Sequence, residues 1–503
     1  MGWKSAALCG VAAAVVAVGV GAIVAAATFP RAAPLSAVGD VVIVWTPESL
    51  KQWAIETFGQ ADKLVLQGGT IVLLAAFAAG VGVASRKHLV LGFAGIGVFT
   101  ALGAAAAATR AGASPPWVVP SLCGGAAAAA ILWGLPRLAG GGTGAEEDPR
   151  TFDRRRFLIA AGGAIGVAGL GGFIARSWGQ SSVVEEARSE IALPAPADPA
   201  PRLPADVDLD VPQLSSWTTP NEKFYRIDTA LTTPNVVPDD YRLRIFGDVE
   251  RELTLTYDDL LSRPLVERDI TLCCVSNEVG GNLVGNARWL GVPVADLLDE
   301  VAPGPGADQL VSRSADGWTA GSPTELCRDG RDALVAVGMN GEPLPVEHGF
   351  PVRMVVPGLY GYVSATKWLV ELELTSFDAF DAYWIGRGWS TPSPIKTQSR
   401  IDTPRGSASA GKVAVAGVAW AQHRGIEAVE VRVDGGPWNA ARLSDVPSTD
   451  TWRQWVWEWD AEPGDYSLTV RAVDGDDETQ TEQHTPVQPN GASGWHTINV
   501  TVE

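Results

Sequence analysis

Cysteine is scarce in this chain: five in 503 residues, an odd number, with Cys9 and Cys123 inside apolar runs. The three that are left make no disulfide framework. Basic charge is short too, 38 Lys and Arg against 57 Asp and Glu. The formal net charge of −19 sets nucleic acid aside as a partner, because its phosphates would be repelled. Histidine numbers five, and His88 is the only one before residue 180, so that part offers no pair for a bis-histidine haem. No fixed-period repeat is visible, which removes a solenoid.

What is present is apolar. Hydrophobic residues make up 46% of the chain and the mean hydropathy is slightly positive. Five long runs cover 6–27, 64–84, 88–108, 117–135 and 157–175. A bilayer core of about 30 Å takes about 20 helical residues, so each run is long enough to span it. Lys4, Arg86 with Lys87, and Arg137 with Arg150 and Arg154 to Arg156 fall on one side of an alternating path, with Lys51, Lys63 and Arg110 on the other. The excess marks the first side as cytoplasmic and puts everything after Ala175 outside the membrane. Ala and Gly in the third and fourth runs suit close helix contacts, and the lack of paired intramembrane charges speaks against a transporter. The fifth run opens DRRRFLIAAGGA, with Arg154, Arg155, Phe157 and Leu158 ahead of the apolar stretch. This resembles a twin-arginine signal, read by a receptor that exports folded, cofactor-loaded domains. The alternative is that the arginines anchor a helix end.

The expected organisation is therefore a membrane region over 1–176, a Pro/Ala-rich linker over 177–211, an α+β domain over 212–404 and a β-sandwich over 405–503. The linker contains LPAPADPAPRLPADVDLDVP, a semi-rigid spacer. YRLRIFG, DITLCCV and FPVRMVVPG read as strands and VPVADLLDEV as a helix. KVAVAGVAWA, AVEVRVDGG, WRQWVWEWDA, YSLTVRAVDG and HTINVTV alternate at period two between turn signals, the pattern of an immunoglobulin-type sandwich.

Cys273 and Cys274 stand side by side in DITLCCV. A strand sends Ile270, Leu272 and Cys274 to one face and Thr271, Cys273 and Val275 to the other, so the thiols point apart. A disulfide between them is disfavoured, since neighbouring Cα atoms are about 3.8 Å apart. Both can be core fillers, or one can fill and the other face a pocket and a soft metal. Cys327, in a helical piece, reads as a filler; His423, His484 and His496 have no metal-ligand spacing.

Five motifs in order resemble the sulfite oxidase family of molybdenum enzymes: TPNEKFYRIDTALTTP (219–234), TLCCVSN, ARWLGVPVADLL, VEHGFPVRMVVPGLYGYVSATKWL (346–369) and SGWHTINVTV. The resemblance runs from Trp217 to the C-terminus, including the immunoglobulin-like domain that follows the catalytic one in this family. It implies a molybdenum-molybdopterin cofactor with Cys274 as the metal ligand, three residues before Asn277, and Cys273 as the filler. It also implies cofactor contacts from Asn221, Tyr225, Arg226, Ser276, Asn277, His348, Arg353, Ser364 and Lys367, with His348, Arg353 and Lys367 suiting the cofactor's phosphate. A thiolate and two dithiolene sulfurs would leave molybdenum positions for oxo groups in a two-electron exchange with substrate. Arginine suits oxyanions because its planar fork grips them bidentately.

The chain also departs from the family's pattern. Glu278 and Val279 stand where sulfite oxidases carry arginine after Asn277, and Trp389 stands near the position of a tyrosine, with Tyr383 close enough to leave the register open. One residue is inserted between Gly361 and Lys367. Losing an arginine beside a new glutamate weakens the binding of a small dianion. The expectation is a membrane-anchored, multi-pass oxidoreductase with its active site outside the cytoplasmic membrane. Catalysis would fall to Cys274, Arg226 and Trp389 on a small-molecule substrate of sulfoxide type, with sulfite as the alternative. A quinone or a cytochrome would be the electron partner, and the C-terminal domain would form a homodimer. A membrane-stalked receptor accounts for the sandwich and the linker but not for the cysteine and HGFPVR motifs.

Overall fold

The computed structural model describes residues 2–29, 32–35, 37–39, 62–109, 115–138, 154–178, 181–230 and 233–503. Lys51, Arg110 and Arg150, which enter the charge asymmetry, lie outside them. The chain divides into two compact units, Met1–Glu185 with Ala230–Asn235, and Glu186–Thr229 with Val236–Glu503.

The first unit is helical, with Trp3–Ala27, Asp62–Ala84, Leu89–Ala108, Val119–Leu138 and Arg154–Trp178 covering the five apolar runs. Among the described residues three helices, Trp3–Ala27, Leu89–Ala108 and Pro115–Arg137, are long and apolar enough to cross a membrane, and Gly68–Ala84 is a shorter apolar one. They are apolar on every side, as are helices that face neighbours or lipid rather than water. Small residues set how closely they cross. Gly10 and Gly82 meet backbone to backbone with no room for a Cβ on either, and Gly124 meets Ala17 in the same way.

The second unit begins within the helix Ser181–Glu190, whose Arg188 bonds the Pro343 and Leu344 carbonyls at 2.9 and 2.8 Å. The proline-rich chain after it is also tied down, the Ala197 amide donating to Leu265 and Asp198 pairing with Arg268. Then come strands β1 (Arg242–Gly247), β2 (Leu253–Thr256), β3 (Val266–Cys273), β4 (Val284–Pro293), β5 (Gln309–Ser314), β6 (Thr319–Pro323), β7 (Leu334–Met339), β8 (Glu342–Pro343), β9 (Arg353–Val355) and β10 (Leu369–Thr375). They form two sheets, ordered β2-β1-β10-β5-β6 and β3-β4-β7-β8, with β9 on β7. The helix Val294–Val301 buries Val294, Leu297, Leu298 and Val301, spaced i, i+3, i+4, i+7 to give one apolar face. β3 and β4 pair antiparallel out to Cys273 opposite Val284, so residues 274–283 form the connecting loop.

The last hundred residues are sheet-rich. Strands β11 (Gln398–Thr403), β12 (Ser407–Ala408), β13 (Gly411–Trp420), β14 (Ile426–Val433), β15 (Asn439–Ala440), β16 (Arg442–Leu443), β17 (Arg453–Ala461), β18 (Gly464–Asp474) and β19 (His496–Val502) make the sheets β11-β13-β17-β16 and β12-β19-β18-β14-β15. One apolar core takes residues from both, among them Val415, Trp455, Val431, Val470 and Val500. Period-two alternation puts such residues on the inward face.

Candidate functional site

β3 ends at Cys273, two residues short of the strand read from sequence. The Cys274 amide donates to the Leu283 carbonyl at 2.9 Å, and its own carbonyl accepts from the Asn277 amide at 3.0 Å, so the chain turns there. Cys273 is 2% exposed and belongs to the main apolar core; Cys274 is 8% exposed and is not in it. The two thiols are thus in different surroundings. Burial pushes the Cys274 thiol up, opposed by bonds from the amide and hydroxyl of Ser276, which favour the thiolate. Asn277, buried, accepts the Leu283 amide on Oδ1 at 2.7 Å and closes the loop.

Tyr225 reaches this point from the stretch after the short 3-10 helix Asn221–Lys223. Burial, then the thiols of Cys274 and Cys273, hold its phenol well above the usual range, while Arg353 opposes them. Asn221 accepts from Asn340 Nδ2 at 2.8 Å, and its carbonyl accepts from His348 Nε2 at 2.9 Å. That bond fixes the tautomer. Burial and then Arg353 bring His348 down to about 4, so it is a neutral imidazole at pH 7.

His348 and Arg353 flank Gly349, where φ is +114° and a Cβ would lie 3.1 Å from both the Arg353 Cβ and the Lys367 Cα. Glycine there lets His348, Arg353 and Lys367 come together. Arg353, 5% exposed, begins β9; it donates to the His348 carbonyl at 3.0 Å and stacks 4.9 Å over the Trp289 ring. Burial lowers it to about 10. Lys367, just before β10, donates to the Glu347 carbonyl at 3.2 Å and to Asp228 Oδ2 at 2.8 Å; burial brings it to about 8 despite that carboxylate. Arg226 Nε lies 3.0 Å from the same Asp228 oxygen. Ser364, fully buried, donates to the Leu359 and Tyr360 carbonyls, so here it shapes the turn Gly361–Ser364. Gly361 sits against it, a Cβ there falling 3.7 Å from the Cys273 carbonyl and 3.9 Å from the Tyr225 hydroxyl. Trp389 lies tilted against Tyr362 of that turn, with ring centroids 5.6 Å apart, whereas Tyr383 is covered by Arg387.

Sequence reasoning missed three residues. Asp228 is buried between Arg226 and Lys367, and its only signal is the i, i+2 spacing in YRID, which puts both residues on one side of an extended chain. Arg400 of β11, buried beside Asp402, donates to the Gly281 carbonyl at 2.7 Å, and the His496 ring lies so close to Gly280 that no Cβ fits between them. The loop after Cys274 is therefore held by the C-terminal sheets, more than a hundred residues away in sequence.

These residues fit a molybdopterin. Among the described residues, no group of three or more His, Cys, Asp or Glu could hold a metal ion, so a metal at Cys274 takes its other donors from outside the chain. Among those same residues Arg353 has no carboxylate partner and bonds only to carbonyls. A buried guanidinium so held is costly unless an anion completes it, as a phosphate would.

Residues 230–384 match the family model of the oxidoreductase molybdopterin binding domain. The mitochondrial sulfite oxidase of Homo sapiens is 29% identical over 346 residues, 57% of this chain and 62% of that protein, so the chain spans less than two thirds of this relative. The uncharacterized oxidoreductase YuiH of Bacillus subtilis (strain 168) is 30% identical over 149 residues, 30% of this chain and 72% of the relative. The crystal structure of the sulfane dehydrogenase SoxCD from Paracoccus pantotrophus superimposes with a TM-score of 0.51 at 25% identity, covering 57% of this chain and 82% of that one. On these matches the chain belongs to the sulfite oxidase family of molybdopterin-dependent oxidoreductases.

Proposed function

We propose that this protein catalyses two-electron oxygen-atom transfer outside the cytoplasmic membrane, on a small neutral oxo compound of sulfoxide type. The observation that carries the substrate class is charge. Arg226, the cation expected to meet substrate, already shares a carboxylate with Lys367, and Glu278 follows Asn277 where an arginine is absent. Each good charge-assisted hydrogen bond to an anion is worth about 1.5–3 kcal/mol, so losing one weakens oxyanion binding roughly ten- to a hundredfold. Cys274 is the metal ligand. Asn221, Tyr225, Ser276, Asn277, His348, Arg353, Ser364 and Lys367 surround the cofactor, which when bound supplies the two-electron oxo chemistry. The chain's part is to keep the site dry, hold His348 neutral and anchor the cofactor. Trp389, packed against Tyr362, presents an apolar wall to substrate.

Sulfite is the second reading, supported by relatives named as sulfite oxidases. Steady-state assays decide between the two: sulfite with an artificial electron acceptor, beside a sulfoxide with a reduced dye. The expected result is weak sulfite oxidation, if any, and better sulfoxide turnover. Efficient sulfite oxidation at low-micromolar apparent affinity overturns it.

The anchor is five transmembrane helices over 1–176 with a twin-arginine-type signal at 154–158. The linker 177–211, a catalytic domain over 212–404 and an immunoglobulin-like domain over 405–503, through which two copies pair, then lie outside. A quinone or a cytochrome exchanges electrons with the site. A periplasm-dependent reporter fused after Leu209 gives signal and one fused after Ala145 gives none. Replacing Arg154 and Arg155 with lysine blocks delivery of the cofactor-loaded domain; unimpaired delivery rules out the signal.

A further inference from the structure

The Asp228 carboxylate is 4% exposed and accepts from both Lys367 Nζ, at 2.8 Å, and Arg226 Nε, at 3.0 Å, on one oxygen. Lys367 is itself only 10% exposed, whereas Arg226 is 45% exposed and reaches the open side. One buried negative charge is therefore set between the inner cation, which faces the cofactor's end of the site, and the outer cation, which faces solvent. A buried lysine needs a counter-charge, and an Asp228–Lys367 pair alone would supply it. The bond to Arg226 goes beyond that need. It draws the same carboxylate onto the cation that incoming substrate meets, and at 3.0 Å the two charges lie well within the screening length of salt. Two cations and one anion leave a single net positive charge spread over the group. A dianion entering beside Arg226 feels the attraction of that cation and the repulsion of Asp228 together, while a neutral oxo group, which needs only a hydrogen-bond donor, loses little.

We propose that Asp228 is a specificity-determining residue that disfavours oxyanions relative to neutral oxo compounds at this site. The proposal rests on the reading of Cys274, Arg226 and Lys367 as one active site, and it names the residue that sets the substrate's charge.

The test uses the full chain in detergent with sulfate as the probe, an oxyanion that is not itself oxidised. The quantity read is the ratio of the sulfate inhibition constant to the KM of a neutral sulfoxide. It is measured at pH 6, below the value of about 8 that Lys367 has beside Asp228, because removing that carboxylate lowers the lysine further. Asp228→Asn lowers the ratio about ten- to a hundredfold, the worth of one further charge-assisted hydrogen bond to the anion. Asp228→Glu, which keeps the charge, holds the wild-type ratio. A carboxylate that merely supports Lys367 predicts that both constants worsen together and the ratio stands still, and that result overturns the proposal. If Asp228→Asn fails to retain cofactor, sulfate is titrated calorimetrically into cofactor-free chains with and without Asp228→Asn that both carry Arg353→Met, so that the anion cannot bind at Arg353. Tighter binding to the variant supports the proposal and equal binding overturns it. Failure of the underlying site is separate, since it appears as turnover surviving in Cys274→Ser.

Discussion

Cys274→Ser abolishes turnover and still yields a folded protein, whereas Cys273→Ser turns over and melts earlier. The two adjacent thiols differ in what surrounds them. Cys274 stands just past the end of β3, outside the apolar core, with two donors from Ser276 that favour its thiolate. Serine at this position offers a hydroxyl whose oxygen is a hard, weakly acidic donor and a poor replacement for thiolate on a soft metal. Because Cys274 is not part of the main apolar core, the substitution costs little stability. Cys273, 2% exposed, packs inside the core, where burial drives its thiol well up and keeps it protonated. A hydroxyl buried there without a full set of partners costs about 1–3 kcal/mol. Metal content, turnover and a denaturation midpoint on the same two preparations separate the effects. Activity lost in Cys273→Ser and kept in Cys274→Ser reverses the assignment.

Strand alternation suggested that this pair diverges, but β3 ends at Cys273, so the different surroundings of Cys274 come from the turn that follows. Which of the two lies free of the core was not legible from the pair alone, because it depends on the Cys274 amide finding the Leu283 carbonyl across a loop. The same distinction runs through the molecule. β13, β14, β17, β18 and β19 coincide with the alternating runs, since period two marks an inward face wherever a sheet has one core side. The five apolar runs are likewise helices, although the charges used to orient them lie partly outside the described residues.

Long-range placements were illegible. Nothing near Arg400 or His496 announces that they reach Gly281 and Gly280, because the partners are backbone atoms of glycines in a distant loop. Asp228 is an intermediate case. Its spacing from Arg226 was visible, but its meaning depends on Lys367 arriving from 139 residues further along the chain. The charge balance of the site is thus a tertiary property. Counting arginines in the motif sensed its direction through Glu278 and missed the carboxylate that lies closest.

Arg353→Met empties the site without unfolding the chain. Arg353 is the buried cation that no carboxylate balances among the described residues; its donors go to the carbonyls of His348, Met354 and Ala365, and its plane lies on Trp289. Burial pulls its pKa to about 10, because a buried guanidinium loses the water that favours its charge. Replacing such a charge by an apolar side chain of similar volume relieves desolvation while leaving two or three carbonyls short of a donor, so the opposing effects bring the net change in stability of the cofactor-free chain within about 3 kcal/mol. Cofactor retention has no such compensation. A phosphate that loses a bidentate arginine forfeits about 1.5–3 kcal/mol per bond, roughly ten- to a hundredfold in affinity for each. Arg353→Lys falls between, since a point charge keeps the attraction but neither the fork nor the stacking on Trp289. Pterin fluorescence per mole of purified chain therefore falls in the order wild type, Arg353→Lys, Arg353→Met, while thermal melting of the cofactor-free proteins does not follow that order. Full pterin occupancy in Arg353→Met removes Arg353 from the cofactor site. A melting temperature that falls in step with occupancy shows instead that the arginine serves the fold, and that the carbonyls of His348 and Ala365, not a phosphate, are what it is there to satisfy.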